Sequence, residues 1–588
     1  MCGICGRFSI ERVPFHAQPW DHLVDTMWRR GPDNRGLLGD DRCVLGARRL
    51  AVMDPRPDAG LPMQAESGRY WLAFNGELYN FRELRKVLTA FGHRFRSTGD
   101  SEVVLRALQH WGTGALDRFN GMFALAFYDR LEQSMVLARD HVGIKPLYVL
   151  DDSRGVVFAS QYDQIMAHPW AGGRPADTDA VAMYLRLGHI PAPRGYLRDA
   201  GMLEPGSWLR IDATGRRERV RYHQFSPAAC RPGQEQVEEV IAAAVRRQAV
   251  SDVAVGSLLS GGVDSPLIAS CLGTAGPTPP RTFSVGCEDR DLDESADAAG
   301  YAGLIGSEHH VDLLREADVP DLFDEAVAAT CEPLADEGIL PSLLVARLAR
   351  ESVTVALSGE GGDELFWGYY PRQAALLGRC GDVRGTDYLP FFTEFTRAQF
   401  TECFPGLPFW PDDEPGYRFE VSDPREAGDA LRQCEIEMYL PFILLKTDRA
   451  SMHHSLEVRV PLLDREVMEV ARGLRAGDCL DVGRGEGKLP LRRALRRRIG
   501  RDTAGKRGFT GPVDRWIRAP LRDHVADSLR SLGGLESVEV DTSRLWRLFD
   551  AHVRGEENNG MALWRILMLD QWVAKQRAVE RRWAAACA

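Results

Sequence analysis

The sequence predicts two domains in series, a layered α+β domain over the first third and a doubly wound α/β domain with a helical C-terminal portion after it. Length is the first observation: 588 residues exceed what one hydrophobic core of ordinary size organises. The second is a run of short apolar or alternating segments, VLGARRLAVM, WLAFNGELYNF, GMFALAFYD, SMVLARD and GVVFAS, interleaved with a few helical patterns such as SEVVLRALQHW. The third is a change of rhythm. QVEEVIAAAVRRQ has helical spacing, VAVGSLL reads as a buried strand and SPLIASCL as a helix. TFSVG, a helix around residues 293 to 305, two further helical segments and VTVALS continue the alternation of a parallel sheet.

Gly, Pro and basic residues in LEPGSWLRIDATGRRERVRYHQFSPAACRPGQ break the first pattern, which sets the expected bounds at 2–207 for the first domain, 208–232 for a linker and 233–588 for the second domain. Residues 378 to 429 are irregular and polar and read as an insertion or surface loop.

With 73 Lys+Arg against 84 Asp+Glu the net charge is −11, which offers no overall attraction to nucleic acid or anionic lipid. The Arg-rich run RRALRRRIGR reads as a solvated helix face. The start, MCGICGRFSI, lacks the basic region and long apolar core of a signal peptide, and no window approaches the ~20 apolar residues of a membrane helix. A cytoplasmic protein with small-molecule substrates, no nucleic acid and no membrane partner is expected, and a homodimer is left open. Twelve scattered cysteines make no disulfide framework. Cys2 and Cys5 form a C-x-x-C, but no second pair completes a four-sulfur zinc site.

Cys2 is chemically distinctive in another way. Methionine is readily trimmed before small residues, and trimming leaves a thiol and a free α-amine on one residue. Near neutral pH that amine, with an ordinary pKa of about 7.7 to 8.0, can accept the thiol proton. From Cys2 alone, a buried structural cysteine is the commoner fate. Its company reverses the odds: CGICG, RRGPD at 29 to 33, RRLAVMD at 48 to 54, FNGELYNFRELR at 74 to 85, TGDSE at 98 to 102 and ARDHVGIKPLY at 138 to 148. Together, in this order, they resemble the class II glutamine amidotransferases, whose fold is an N-terminal-nucleophile αββα sandwich.

The resemblance implies that Cys2 attacks the side-chain amide of glutamine while Asn75 and the Gly76 backbone amide hold the oxyanion. It also implies that Arg49 clamps the glutamine α-carboxylate and that Glu77 and Asp100 hold its α-ammonium, with Asn75 and Gly76 contributing to binding. The bland readings are a tight hairpin turn at Asn75-Gly76 and a surface charge at Arg49.

VAVGSLLSGGVDS places a Gly-rich loop between a buried strand and a helix, where backbone amides and the helix dipole can hold phosphate oxygens. It is neither a G-x-x-x-x-G-K-[ST] loop nor a G-x-G-x-x-G fingerprint. It resembles the S-G-G-x-D-S pyrophosphate loop of enzymes that adenylate a substrate. VALSGEGGDELFWGYY, LLKTDRASMHHSLEVRVPLLD, GEGKLPLRRAL, KRGFTGPVDRW and LWRILMLDQW extend a resemblance to the asparagine synthetase family over nearly the whole chain.

It implies ATP as substrate, held by Leu258, Ser260, Gly261, Gly262, Asp264, Ser265, Val285, Ser358 and Gly359. Mg2+ would sit on Asp264 and Asp363. Glu360 would stand by the acyl-adenylate and take a proton from the attacking nitrogen, and Lys488 would neutralise phosphate charge. Taken alone, Leu258 and Val285 read as core strand residues and Lys488 as a solvent-facing cation.

Three departures stand out: Pro266 in place of a second serine, the pair His453-His454, and Trp367 where the family often has glycine. Bulk near a substrate pocket leaves room for an acid other than aspartate, since fold and motifs do not fix the substrate, while simple packing is the plainer reading of the histidines. The expected activity is glutamine-dependent, ATP-consuming amidation of aspartate, with ammonia crossing an interdomain tunnel that the resemblance supplies. The same machinery acting on another carboxylate in natural-product biosynthesis is the close alternative. A glutaminase-only or non-catalytic relative is the alternative of another class.

Overall fold

The computed structural model describes residues 2–228, 230–276, 278–378, 382–409, 419–501 and 511–587. Residues 506–510 of the KRGFTGPVDRW string lie outside the described residues.

Two six-stranded sheets face each other in the first domain. One runs Ala200–Met202, Tyr148–Asp152, Gly155–Ala159, Cys2–Ser9, Cys43–Arg49, Asn34–Gly39. The other runs Arg217–Arg221, Ser207–Asp212, Ser134–Arg139, Gly121–Asp129, Tyr70–Leu78, Met63–Gln64. Strand alternation decides which side chains meet between them. Cys2, Ile4 and Phe8 point inward to join Leu45, Leu72, Phe74 and Leu125, whereas Cys5 faces the opposite side with Trp20, Val44 and Ile165. Cys2 and Cys5 therefore sit on opposite faces of one strand. Helices Ala17–Thr26 and Tyr162–Ala167 cover the first sheet, and Phe81–Ala90 with Ser101–Trp111 cover the second, giving αββα layers.

Residues 208–221, expected to begin the linker, are strands instead. Ser207–Asp212 pairs with Ser134–Arg139 and with Arg217–Arg221 and buries Trp208, Leu209 and Ile211. The linker-like composition belongs to the turn between the two strands, where Gly215 adopts φ +83°.

The second domain is built on a five-stranded parallel sheet ordered Glu308–Leu314, Arg281–Cys287, Val255–Leu258, Val355–Leu357, Glu457–Arg459. The chain moves outward from Val255–Leu258 in one direction, then returns to its other side with Val355–Leu357. The reversal opens a crevice at the carboxyl ends of these two neighbours, where ligands bind in such sheets.

Within 378 to 429, expected as surface loop, short strands Val383–Arg384 and Glu420–Val421 pair and helices Arg397–Cys403 and Pro424–Cys434 form. Val383, Tyr388, Leu389 and Phe392 of the segment join Leu376, Leu431 and, from the first domain, Met183 and Leu187 in one apolar cluster. The C-terminal helix Gly560–Cys587 packs back on the first domain, where Tyr184 Oη donates to the Arg565 carbonyl at 2.9 Å. Among the described residues no helix is long and apolar enough to cross a membrane.

Candidate active site

Cys2 opens the first strand opposite Arg49. Its backbone nitrogen donates to Asn75 Oδ1 at 3.0 Å, reaching from one sheet to the other. Asn75 and Gly76 lie in mid-strand opposite Ala124 and Phe123, not in a hairpin turn. A Cβ on Gly76 would stand 2.1 Å from the Met122 carbonyl oxygen, so glycine is what lets the two strands approach here. Arg49 is buried, not a surface charge. Its Nη2 donates to the carbonyls of Met53 and Asp54 at 2.5 and 2.9 Å, which fixes the guanidinium plane beside Cys2.

Burial pushes the Cys2 thiol pKa up, while Arg49 and the Leu50 amide pull the other way. Glu77 is raised well above the usual carboxylate range by burial and by the charges of Asp100 and Glu457. Asp100 is raised by burial as well, although its Oδ2 accepts from the Leu78 amide at 2.8 Å.

The second domain supplies part of this site. Arg459 Nε lies 2.7 Å from Glu457 Oε1 and its Nη2 3.7 Å from Glu77 Oε2, while Nη1 donates to the Gln248 and Val250 carbonyls. Both residues come from the edge strand Glu457–Arg459. Sequence reasoning singled out the surrounding LEVRV string but gave these residues no role. The signal available was a pair of charges alternating through an otherwise apolar strand.

At the sheet crevice the loop after Val255–Leu258 leads into the helix Asp264–Gly273, whose third residue is Pro266, a position where proline costs no helical hydrogen bond. Ser260 N donates to Ser265 Oγ at 2.9 Å, Gly262 N to Ser260 Oγ at 3.3 Å and Gly261 N to Glu294 Oε2 at 3.1 Å. Ser260 and Val285 line one cavity with Leu259, Cys287 and Glu294. Leu258 packs instead toward Phe283 and Val345.

Ser358 and Gly359 follow the neighbouring strand Val355–Leu357, and Ser358 N donates to the Arg459 carbonyl at 2.9 Å. Gly359 and Gly362 press on Asp264: an added Cβ would come within 2.7 Å of Asp264 Cβ and 2.6 Å of its Cγ respectively.

Lys488, at φ +59°, is buried with its ammonium on Asp264 and at 2.8 Å from Asp363 Oδ1. Burial alone would lower its pKa, but the two carboxylates raise it, so the side chain stays charged. It is not a solvent-facing cation. Glu360 is held from two sides, by the Ser358 hydroxyl and by Thr447 Oγ1 at 3.0 Å. Among the described residues no group of three or more His, Cys, Asp and Glu could hold a metal ion. Asp264 and Asp363 nevertheless converge on one cationic nitrogen, and their hard oxygen donors fit Mg2+ shared with phosphate oxygens.

Trp367 and the histidine pair make different kinds of contact within the fold, one with a cation over its ring and the other with a carboxylate. Trp367 is 0% exposed, with Arg432 4.1 Å over its ring. His453 and His454 lie 3.5 and 3.1 Å from Glu325, and Arg29 donates to the His453 carbonyl at 3.1 Å.

Two family models match the chain: Glutamine amidotransferase domain over residues 1–223 and Asparagine synthase over 236–574. Glutamine-hydrolyzing asparagine synthetase 1 of Bacillus subtilis (strain 168) is 28% identical, covering 97% of this chain and 96% of its own length. A putative glutamine-hydrolyzing asparagine synthetase of Mycobacterium tuberculosis (strain ATCC 25618 / H37Rv) is 31% identical, covering 93% and 92% respectively. A solved glutamine phosphoribosylpyrophosphate amidotransferase from B. subtilis overlaps 53% of this chain and 65% of its own at 15% identity and TM-score 0.29. With the synthase model spanning more than half of its residues behind a matched amidotransferase domain, the chain belongs to the asparagine synthase family.

Proposed function

We propose that the protein is a glutamine-dependent amide ligase that adenylates aspartate with ATP. In this reading Cys2 attacks the glutamine amide, forming a thioester and releasing ammonia, and water then frees glutamate. Asn75 Oδ1 accepts from the Cys2 nitrogen and its Nδ2 lies 3.5 Å from Ser160 Oγ; in this reading Nδ2 turns, with the Gly76 amide, to the developing oxyanion. Arg49 binds the substrate carboxylate, and Glu77 and Asp100 its ammonium.

At the second site a carboxylate oxygen of aspartate attacks the α-phosphorus of ATP and pyrophosphate leaves. Ammonia then attacks the acyl carbon, AMP leaves, and Glu360 takes the proton that the nitrogen loses. The loop of Ser260, Gly261, Gly262 and Ser265, with Ser358 and Gly359, holds the nucleotide. Leu258 and Val285 contribute through the strands that wall the adenosine. Mg2+ bound by Asp264 and Asp363 would neutralise phosphate charge, and Lys488 adds its own cation there.

One observation carries the two-site reading. On the single helix Leu440–His453, Thr447 holds Glu360 while the next residue, Asp448, pairs with Arg30, whose Nε holds the Cys2 carbonyl at 3.1 Å. The same helix therefore contacts groups that belong to both centres. ATP–pyrophosphate exchange with a panel of acids tests the substrate. Exchange supported by aspartate is the expected result. Exchange with another acid and silence with aspartate would remove the asparagine assignment and keep the ligase.

A further inference from the structure

Two of the three loop amides that would meet nucleotide phosphates donate to hydroxyls of the same loop: Ser260 N to Ser265 Oγ and Gly262 N to Ser260 Oγ. A hydroxyl can turn to offer a proton instead of a lone pair, so these contacts tolerate an incoming anion. The third amide is held differently. Gly261 N donates at 3.1 Å to Oε2 of Glu294, a carboxylate brought from 33 residues further along, at the start of the helix Ser295–Ile305. The arm of Glu294 lies flat on the glycine: a Cβ at Gly261 would stand 3.1 Å from Glu294 Cβ and 3.4 Å from its Cδ. Glu294 also lines the cavity that contains Ser260, Val285 and Cys287.

A carboxylate that accepts from a backbone amide in a Gly-rich loop before a helix offers what a phosphate oxygen offers, a negative charge and a charge-assisted hydrogen bond. The cation side of the crevice shows the complementary arrangement, with the Lys488 ammonium lying between Asp264 and Asp363, the pair that fits Mg2+. Two anions on one amide repel each other strongly in a partly buried site.

We propose that Glu294 is a displaceable placeholder for phosphate: it holds the Gly261 amide in the orientation an anion needs, and its carboxylate is driven out when a polyphosphate arrives. The inference rests on the reading of the Ser260 to Ser265 loop as the phosphate site. Its consequence is specific. Glu294 sets polyphosphate affinity through its charge, and it leaves the adenosine side of the cavity alone.

Glu294→Gln tests this, because the amide keeps an acceptor for Gly261 and a similar shape while losing the charge. Binding of inorganic pyrophosphate, ATP and adenosine to the full-length protein is measured by calorimetry, with circular dichroism as the check on folding. The variant should bind pyrophosphate and ATP about tenfold more tightly than wild type, with adenosine unchanged and the gain shrinking at high ionic strength. Unchanged or weaker pyrophosphate binding, with adenosine normal, would show that Glu294 only braces the loop and would overturn the proposal. Failure of pyrophosphate to bind the wild type or to compete with ATP there would instead remove the phosphate-site reading, and the proposal with it. Glu294→Ala separates charge from bracing: tighter pyrophosphate binding here too supports the proposal, and a loss confined to this variant assigns the bracing to the lost acceptor.

Discussion

Arg30 donates to both carboxylate oxygens of Asp448, at 2.7 and 3.0 Å, across the boundary between the two domains, with the two side chains only 3% and 2% exposed. Asp448 is also 3.0 Å from Arg449 and 3.9 Å from Lys145. Burial would raise its pKa, but these cations, Arg30 first, hold the carboxyl far below the usual range. A buried pair is weak evidence for stability as such, because desolvation offsets attraction, yet removing one partner strands a charge. The pair is better understood as fixing how the helix Leu440–His453 sits on Cys2.

Asp448→Asn should therefore lower stability by roughly 3 kcal/mol. It should also reduce glutamine-dependent synthesis several-fold more than synthesis from ammonium salts. The nitrogen-source ratio is the informative readout, since a purely structural role would lower both rates alike.

Separate centres imply separable activities. Cys2→Ala should abolish glutamine-dependent turnover and leave ammonium-dependent synthesis within about twofold of wild type. Asp264→Ala should keep glutaminase activity and lose pyrophosphate release with either nitrogen source. Loss of ammonium-dependent synthesis in a folded Cys2→Ala protein would contradict the division of labour.

If the Cys2 nitrogen is the base for its own thiol, the active protein must begin at Cys2, because an acylated nitrogen has no lone pair to offer. That nitrogen already points at Asn75 Oδ1. Intact-mass measurement of fully active protein should show Met1 removed. A retained Met1 in active enzyme would rule out the base assignment.

Much of this was legible in the sequence. Asn75, Gly76 and Glu77 in FNGEL fall within the strand Tyr70–Leu78, because apolar alternation and motif agree there. Local chemistry also flagged the loop before Asp264, since glycine between strand and helix has few other uses. Contacts that depend on distant chain did not show. Nothing near Glu77 points to Arg459, and nothing near Arg30 points to Asp448, 418 residues away. Composition misled at 208–221, where turn residues concealed the alternation of SWLRID, and again in 378 to 429, where short helices with a small apolar cluster read as loop.

Glu337 gives the stability a pH signature. Burial, then the charge of Asp336, raises its carboxyl from 4.5 to about 7, against the pull of Lys446. The folded state thus holds more protons than the unfolded chain between these values. The associated stability is fully present below about pH 4.5 and is lost as pH rises through about 7. Glu337→Gln removes the loss. Its melting temperature should exceed wild type at pH 8, by the equivalent of about 1–2 kcal/mol, and the gap should narrow at pH 5. A gap that is the same at both pH values would mean that Glu337 titrates normally.

Trp367 is the residue where sequence suggested a pocket wall. Its ring is instead fully buried beneath Arg432, and its backbone sits at φ +55°, a conformation that favours glycine. Two effects of Trp367→Gly then oppose each other. Relief of the left-handed backbone is worth about 1 kcal/mol. Deleting a buried Trp costs about 3–5 kcal/mol, and Arg432 loses its aromatic partner as well. Destabilisation wins by roughly 2–4 kcal/mol. The neighbourhood also matters for chemistry. Lys488 N donates to the Phe366 carbonyl at 3.1 Å, and a Cβ on Gly487 would stand 2.1 Å from the Trp367 carbonyl oxygen, so this turn positions the lysine that reaches Asp264 and Asp363. The variant should melt earlier and exchange pyrophosphate more slowly with every acid, while the order of preference among acids stays as in wild type. A changed order, with a new acid overtaking the wild-type one, would show that the ring does face the acceptor and would restore Trp367 as a specificity residue.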